Sequence, residues 1–335
     1  MGLASTTPHS RSSALNLPLA VTIWAIIIAS AAIAGARLGF GGRRFAIALA
    51  VAAVLFAFEF WLAAPRVLDR ARSWLSGHGR ALAPAVPLVA VIAYSLGVTA
   101  SGRWLVAGAL YATIPALLLS TAAGKPAGAW ADYATAVFIW LAIWLTPPYR
   151  LLYHIFPYPP PLEHTLSILM AVSTAVAGYI LLRGLDGVGY RVEWRRGFGF
   201  QFASNFVLFA IIAIPLGLKI GFLTFDPTIA RVRSIPVAGL GILFFTAWPE
   251  EFFFRGIVQN CLARTFKNQW AGLALAAIIF GFSHILHSPA PNGKYVLLAT
   301  IAGVFYGRVW MKTGSIFPGV LVHALVDLSW HILFR

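Results

Sequence analysis

Three strings near the end of the chain place acids, histidines and one arginine inside otherwise apolar text. The first, FFTAWPEEFFFRGIVQN, holds Glu250, Glu251 and Arg255; the second, IIFGFSHILHSP, holds His284 and His287; the third, FPGVLVHALVDLSWHILF, holds His323 and Asp327. An ionisable residue within an apolar run is costly and is therefore a functional-site hypothesis by default. Helical spacing sorts these residues. Glu251 and Arg255 are four apart, so they share a face and can pair, with the acid on the favourable N-terminal side. Glu250 is rotated by about 100° and stands clear of that pair. His323 and Asp327 are again four apart, so the aspartate can orient the imidazole.

This set suits activation of a water molecule. Glu250 is placed to act as general base, His284 to share or orient the same water, and His323 with Asp327 to face the substrate carbonyl as its oxyanion develops. A metal reading also fits: Glu250, His284 and His323 are acceptable zinc ligands with an open position for water. The zinc-protease string HExxH is absent, so no metal is required by motif, and a metal-free site is expected with zinc as the alternative. Nucleophilic serine or cysteine catalysis is poorly supported. Ser283 adjoins His284 without triad geometry, and Cys261 has no histidine near it in sequence. His287, close to Ser288 and the following loop, reads as interfacial. The bland alternatives are a buried charge-compensating cluster in the first string and a hydrogen-bonded pair in the third; the joint occurrence of all three strings favours chemistry.

The elements that must position these residues are membrane helices. Of 335 residues, 60% are hydrophobic and only 10% charged, which excludes an ordinary soluble domain. Apolar runs at about 17–36, 45–64, 81–100, 104–122, 130–146, 165–183, 203–218, 236–263, 270–288, 294–311 and 316–334 predict an all-α, polytopic transmembrane bundle of about eleven helices. The site then falls within the last four. No run shows the alternation of an outer-membrane barrel. The organisation reads as an N-terminal helical region over 1–184, an interfacial linker plus one transmembrane helix over 185–235, and a functional unit over 236–335. The linker text LDGVGYRVEWRRGFGF carries four glycines with charged and aromatic residues, and Tyr190 and Trp194 are expected at headgroup depth.

A single cysteine excludes a disulfide framework and any cysteine-rich metal cluster. The net charge of +15 comes mostly from basic residues in the gaps between apolar runs, where they set topology and meet lipid headgroups. Aromatic residues are not interleaved with them as nucleic-acid binding requires, so lipid is the expected partner and nucleic acid is not. A modest excess of Lys and Arg on one side places the N-terminus in the cytoplasm. The first run is longer than a signal-peptide core, so a retained helix is expected.

Taken in order, Glu250-Glu251-x-x-x-Arg255, Phe280-x-x-x-His284 and His323-x-x-x-Asp327 resemble the three motifs of the CAAX protease and bacteriocin-processing family, also known as type II CAAX prenyl endopeptidases or Abi proteins. The resemblance covers about 236–332. It implies an intramembrane endopeptidase acting on a membrane-anchored protein or peptide. In it Glu250 and His284 activate water, His323 and Asp327 stabilise the oxyanion, and Glu251 and Arg255 support them. Arginine exceeds lysine by 20 to 5, which hints at a bacterial inner-membrane enzyme rather than a trimmer of prenylated proteins. Two rival classes are a non-catalytic immunity or scaffold protein of the same fold and a proton-coupled transporter; against the transporter, the first half of the chain offers only Glu59 inside a run.

Overall fold

The computed structural model describes residues 13–144 and 150–335. Each apolar run predicted above forms a helix over most of its described length, the 270–288 run only as far as Phe282; the end of the 130–146 run lies outside the described residues. In chain order the helices are α1 Leu17–Arg37, α2 Gly42–Leu62, α3 Pro65–His78, α4 Arg80–Thr99, α5 Gly102–Ser120, α6 Trp130–Trp144, α7 Leu151–Ile155, α8 Leu162–Leu182, α9 Phe198–Lys219, α10 Ile229–Thr265, α11 Gln269–Phe282, α12 Gly293–Thr313 and α13 Ile316–Leu333. The architecture is all-α and the protein is an integral membrane protein. Among the described residues eight helices are long and apolar enough to cross a bilayer, of the eleven runs read from the sequence.

Within the described residues the three remaining runs are shorter or less apolar than that, for local reasons. The described α6 and α11 are apolar but too short for a full crossing. The 270–288 run stops at Phe282, and the text that follows holds Pro289 and Pro291, which cannot continue a helix. α12 is 21 residues long but carries Lys294, Arg308 and Lys312. Two further helices arise from gaps between runs. α3 starts on Pro65 and buries Leu68 and Leu75, seven apart, while Asp69, Arg70 and Trp74 are exposed, the pattern of a helix lying at an interface.

α8 is buried along most of its length and packs on α2, while α1 is largely exposed. The first half of the chain holds α10 through aromatic contacts. Phe60 of α2 meets Phe244 and Trp248 edge-on, at 5.3 and 6.1 Å between centroids. Trp140 of α6 stacks on Phe253 and meets Phe254 edge-on, at 5.0 and 4.8 Å. Such pairs add about 0.5–1.5 kcal/mol each beyond simple burial.

The linker does more than connect. Gly189 has φ +73 and lies so close to Gly314 that no side chain fits, and its carbonyl accepts the Ile316 amide at 3.0 Å. The Asn260 side chain of α10 donates to the Asp186 carbonyl at 2.7 Å, and the Trp310 indole of α12 to the Val188 carbonyl at 3.2 Å. Glu193–Trp194 pairs antiparallel with Ser13–Ala14. Tyr190, which the sequence suggests as a headgroup anchor, is enclosed by the protein. It is buried, its hydroxyl donates to the Glu59 carbonyl at 2.9 Å, and Trp248 and Phe252 enclose its ring. Backbone hydrogen bonding draws the linker inward, which its composition could not reveal. Trp194, in contrast, is exposed.

Candidate active site

α10 carries the acids on an irregular turn. Pro249 has no amide hydrogen and its ring crowds the preceding turn, and the backbone is widened to i→i+5 bonding over Leu243–Ala247 and again over Phe252–Gln259. Glu250 and Glu251 sit on the short α-helical turn between. Wide turns of this kind occur frequently at functional sites.

From this turn Glu251 reaches two partners. One oxygen lies 3.2 Å from Arg255 Nε, the i,i+4 ion pair the spacing predicts. The other accepts a hydrogen bond from His323 Nδ1 at 2.9 Å. Both Glu251 and Arg255 are fully buried. The guanidinium lies 4.4 Å from the centre of the Phe280 ring and 5.3 Å from that of Tyr306, and Nη2 donates to the Gly303 carbonyl at 3.4 Å. That last bond relies on a close helix crossing: a side chain at Gly303 would collide with the backbone of Ala277, so small residues let α12 and α11 touch. Gln259, one turn beyond Arg255, donates in the same way to the Gly307 carbonyl at 3.1 Å.

His323 is thereby fixed on both sides. Tyr306 stacks on its ring at 4.5 Å, and Nε2 faces Asp327 at 3.5 Å and Glu250 at 3.8 Å. Sequence spacing made Asp327 the orienting partner of His323; Glu251 instead takes Nδ1, and Asp327 stands on the other side of the ring. His284 follows the end of α11, and its Nδ1 donates to the Phe280 carbonyl at 2.8 Å. The proton is then on Nδ1 and Nε2 is an acceptor. Tyr295 and His287 lie against the His284 ring at 4.5 and 5.4 Å. His287 itself is exposed beyond the helix, as expected for a loop residue. Partial burial, and then the positive charge of Arg150, lower its pKa.

Glu250, His284, His323 and Asp327 line one cavity of about 200 Å3. Glu250 and Asp327 are the more open members, with 24% and 28% of their side chains exposed, whereas Glu251 is sealed off. Glu250 Oε2 is buried yet has no hydrogen-bond partner, a costly arrangement. Among the described residues no group of three or more His, Cys, Asp or Glu side chains is placed to hold a metal ion. The same Glu250 and His284 also line a second cavity, of about 400 Å3, whose far wall comes from α6 and α8.

Sequence reasoning did not single out Tyr306, Tyr295 or Gly319. The two tyrosines lie within the apolar run at 294–311, where an aromatic ring with a polar tip must find a specific place; that was the available signal. Gly319 sets how near α13 comes to Glu251, since a β-carbon there would lie 3.2 Å from the carboxylate. Neither curated proteins nor solved structures yield a match to the chain. Residues 232–329 match the family model described as type II CAAX prenyl endopeptidase Rce1-like. That span contains all three motifs and the whole of the Glu250–His284–His323–Asp327 cluster, and over it the chain is similar to that family, in agreement with the motif resemblance.

Proposed function

We propose that the protein is an intramembrane endopeptidase that hydrolyses a peptide bond of a membrane-anchored protein or peptide in a bacterial inner membrane. The observation that carries this reading is the unpartnered Oε2 of Glu250, which lines a cavity between two histidines whose Nδ1 atoms are already engaged. A water between Glu250 and His284 Nε2 meets one carboxylate able to take its proton and one acceptor able to align it. As Glu250 removes the proton, the water oxygen bonds to the carbonyl carbon and the carbonyl electron pair moves onto oxygen. His323, protonated at Nε2, donates to that oxyanion, with Asp327 balancing the charge. Glu250 then passes its proton to the leaving nitrogen, the C–N bond breaks, and the oxyanion collapses to a carboxylic acid.

Glu251 and Arg255 act through His323. Their ion pair holds Nδ1 and therefore aims Nε2, the arrangement by which a base is oriented by a third group. No obligatory metal enters this scheme, and lipid together with the anchored substrate are the partners it needs. The test is cleavage of membrane-anchored reporter peptides by the full-length protein in nanodiscs. Wild type is expected to turn over and Glu250→Gln and His284→Ala to fail while remaining folded, with no effect of chelator. Loss of cleavage with chelator and its recovery with zinc would overturn the metal-free step; cleavage undiminished in Glu250→Gln would overturn the general base.

A further inference from the structure

Away from the two cavities at Glu250 and His284, and sharing no residue with them, a hollow of about 180 Å3 lies where the linker meets α3 and the turn between α12 and α13. Its walls come mostly from connections at the ends of membrane spans: the linker joins α8 to α9, the turn leads into α13, and α3 has the pattern of an interfacial helix. Loops that join spans emerge at the headgroup layer of a bilayer. The extended linker gives the hollow its polarity. Alternate side chains of a strand point to opposite faces, and Arg191, Glu193 and Arg195 line this hollow while Val192 and Trp194 line an apolar cavity. Arg72 of α3 and Asp186 complete the charged lining.

Two of the three arginines are already matched: Arg191 bonds to Asp69, and Arg195 Nη2 lies 2.7 Å from Glu193. Arg72 is not. Its Nε and Nη2 both donate to the Ile180 carbonyl, at 3.3 and 3.2 Å, while among the described residues its Nη1 has no hydrogen bond and no carboxylate stands within ion-pair distance of it. The charges that reach Arg72 from further off are those of Asp69 and Asp186, offset by Arg191 and Arg80. With the pair of Arg195 and Glu193 added, Arg72, Arg80, Arg191 and Arg195 face Asp69, Asp186 and Glu193, four cations against three acids and an excess of one. Burial, and then the charge of Arg191, lower the pKa of the half-buried Arg72. In the same wall the amides of Gly187 and Gly189 donate to no acceptor among the described residues. One excess positive charge with spare N–H donors is matched to one phosphodiester, which takes paired, charge-assisted hydrogen bonds from a guanidinium. Basic pockets between membrane helices hold lipid headgroups in this way. We propose that the hollow between α3, the linker and the α12–α13 turn binds the phosphate of a phospholipid headgroup, with Arg72 as its principal contact and Arg195 as a second.

The experiment uses the full-length protein, delipidated in nonionic detergent, and reads the dissociation constant of the first bound lipid by native mass spectrometry. The probes are phosphatidylglycerol, a diacylglycerol with the same chains and no phosphate, and inorganic phosphate as a competitor. Wild type is expected to bind phosphatidylglycerol roughly 10- to 100-fold more tightly than diacylglycerol, the size of a hydrogen bond to a charged group, and to keep it in the presence of an equal concentration of inorganic phosphate. Arg72→Gln should remove most of that difference, and Arg72→Lys, which retains the charge without the planar fork, should preserve part of it. Glu193→Gln releases Arg195 from its pair and should tighten binding by roughly threefold, the scale of an exposed ion pair; a damaged fold cannot produce such a gain. Arg43→Gln, at an exposed arginine near the start of α2, should change nothing. Equal binding of the two lipids by wild type, an equal loss in Arg43→Gln and Arg72→Gln, or no gain in Glu193→Gln would overturn the proposal. Displacement of the lipid by inorganic phosphate would assign the hollow to a soluble phosphate and overturn the lipid as its occupant.

Discussion

Two buried ion clusters in this molecule have similar ingredients and opposite finish. In the first half, Asp132 and Arg183 pair at 3.2 Å with both side chains buried. Neither side chain has a buried nitrogen or oxygen without a hydrogen-bond partner. Asp132 Oδ2 accepts the Gly128 and Ala129 amides, Arg183 Nη2 donates to the carbonyls of Lys125 and Pro126, and Tyr179 donates to the Asp132 carbonyl. In the second half, the cluster of Glu250, Glu251, Arg255 and His323 leaves Glu250 Oε2, Glu251 Oε2 and Arg255 Nη1 without hydrogen bonds, although Glu251 Oε2 keeps its ion pair with Arg255. The first arrangement clamps the turn before α6 onto the end of α8. The second leaves capacity unspent next to a cavity. Burial of charge is thus common to a structural clamp and to a candidate active site, and what separates them is unsatisfied hydrogen-bonding capacity aimed at space a substrate can enter.

The largest effect expected is on the unsatisfied cluster. Glu250→Gln keeps the size and packing of the side chain but removes the base, so cleavage should fall by about 10²–10⁴-fold with the thermal midpoint unchanged. A matching loss of stability would mean that Glu250 belongs with the clamp. The satisfied cluster should behave in the opposite way. Asp132→Ala leaves Arg183 buried without its counter-charge and should cost about 3–5 kcal/mol of stability, read by thermal unfolding, while KM of the surviving folded fraction stays as in wild type. The double variant Asp132→Leu with Arg183→Met should recover much of that loss, because a buried pair replaced by apolar groups is often neutral or better. Failure to recover would show that the two clusters differ less than their hydrogen bonds suggest.

The second cluster was far more legible in sequence than the first. Acids at 250 and 251 with an arginine at 255 read correctly as one paired and one free carboxylate, because i,i+4 spacing is preserved through the widened helix. The convergence of His284, His323 and Asp327 on one cavity follows from three apolar helices, each with its ionisable residues at a defined place. Asp132 was passed over because it lies near the start of its run, and its partner Arg183 comes 51 residues later at the far end of another; only the packing of α6 against α8 joins them. For the same reason Glu251 was assigned to Arg255 alone. Its bond to His323 spans 72 residues, and no periodicity carries that information. The burial of Tyr190 was not legible because it is set by the linker's hydrogen bonds to α2 and α12. The helices themselves were readable from hydropathy, whereas α3 was hidden by its balance of apolar and basic residues.

A smaller effect is expected where the backbone, and not a titratable group, sets the unsatisfied cluster. Gly319 lets α13 approach Glu251, and a methyl group there would meet the carboxylate at 3.2 Å, tighter than ordinary contact. Gly319→Ala should displace Glu251 from His323 and lower kcat by about tenfold, equivalent to about 1.4 kcal/mol, with KM for a reporter little changed. If KM rises and kcat holds, α13 contributes to binding and not to the aim of His323.

The smallest effect tests the rule itself. Glu59 is buried in α2 and its Oε2 has no hydrogen-bond partner, so by unsatisfied capacity alone it would count with Glu250. It differs in lining neither of the two cavities that meet at the site. Its backbone carbonyl, accepting from Tyr190, takes part in holding the linker, and that bond does not depend on the side chain. Glu59→Gln should therefore leave kcat/KM within about twofold and shift stability by no more than about 1 kcal/mol, since an isosteric swap keeps the packing. A loss of cleavage comparable to that of Glu250→Gln, with the fold intact, would instead tie α2 to proton movement at the site. Unpartnered carboxylates would then have to be weighed by reach through the bundle as well as by the cavity they face.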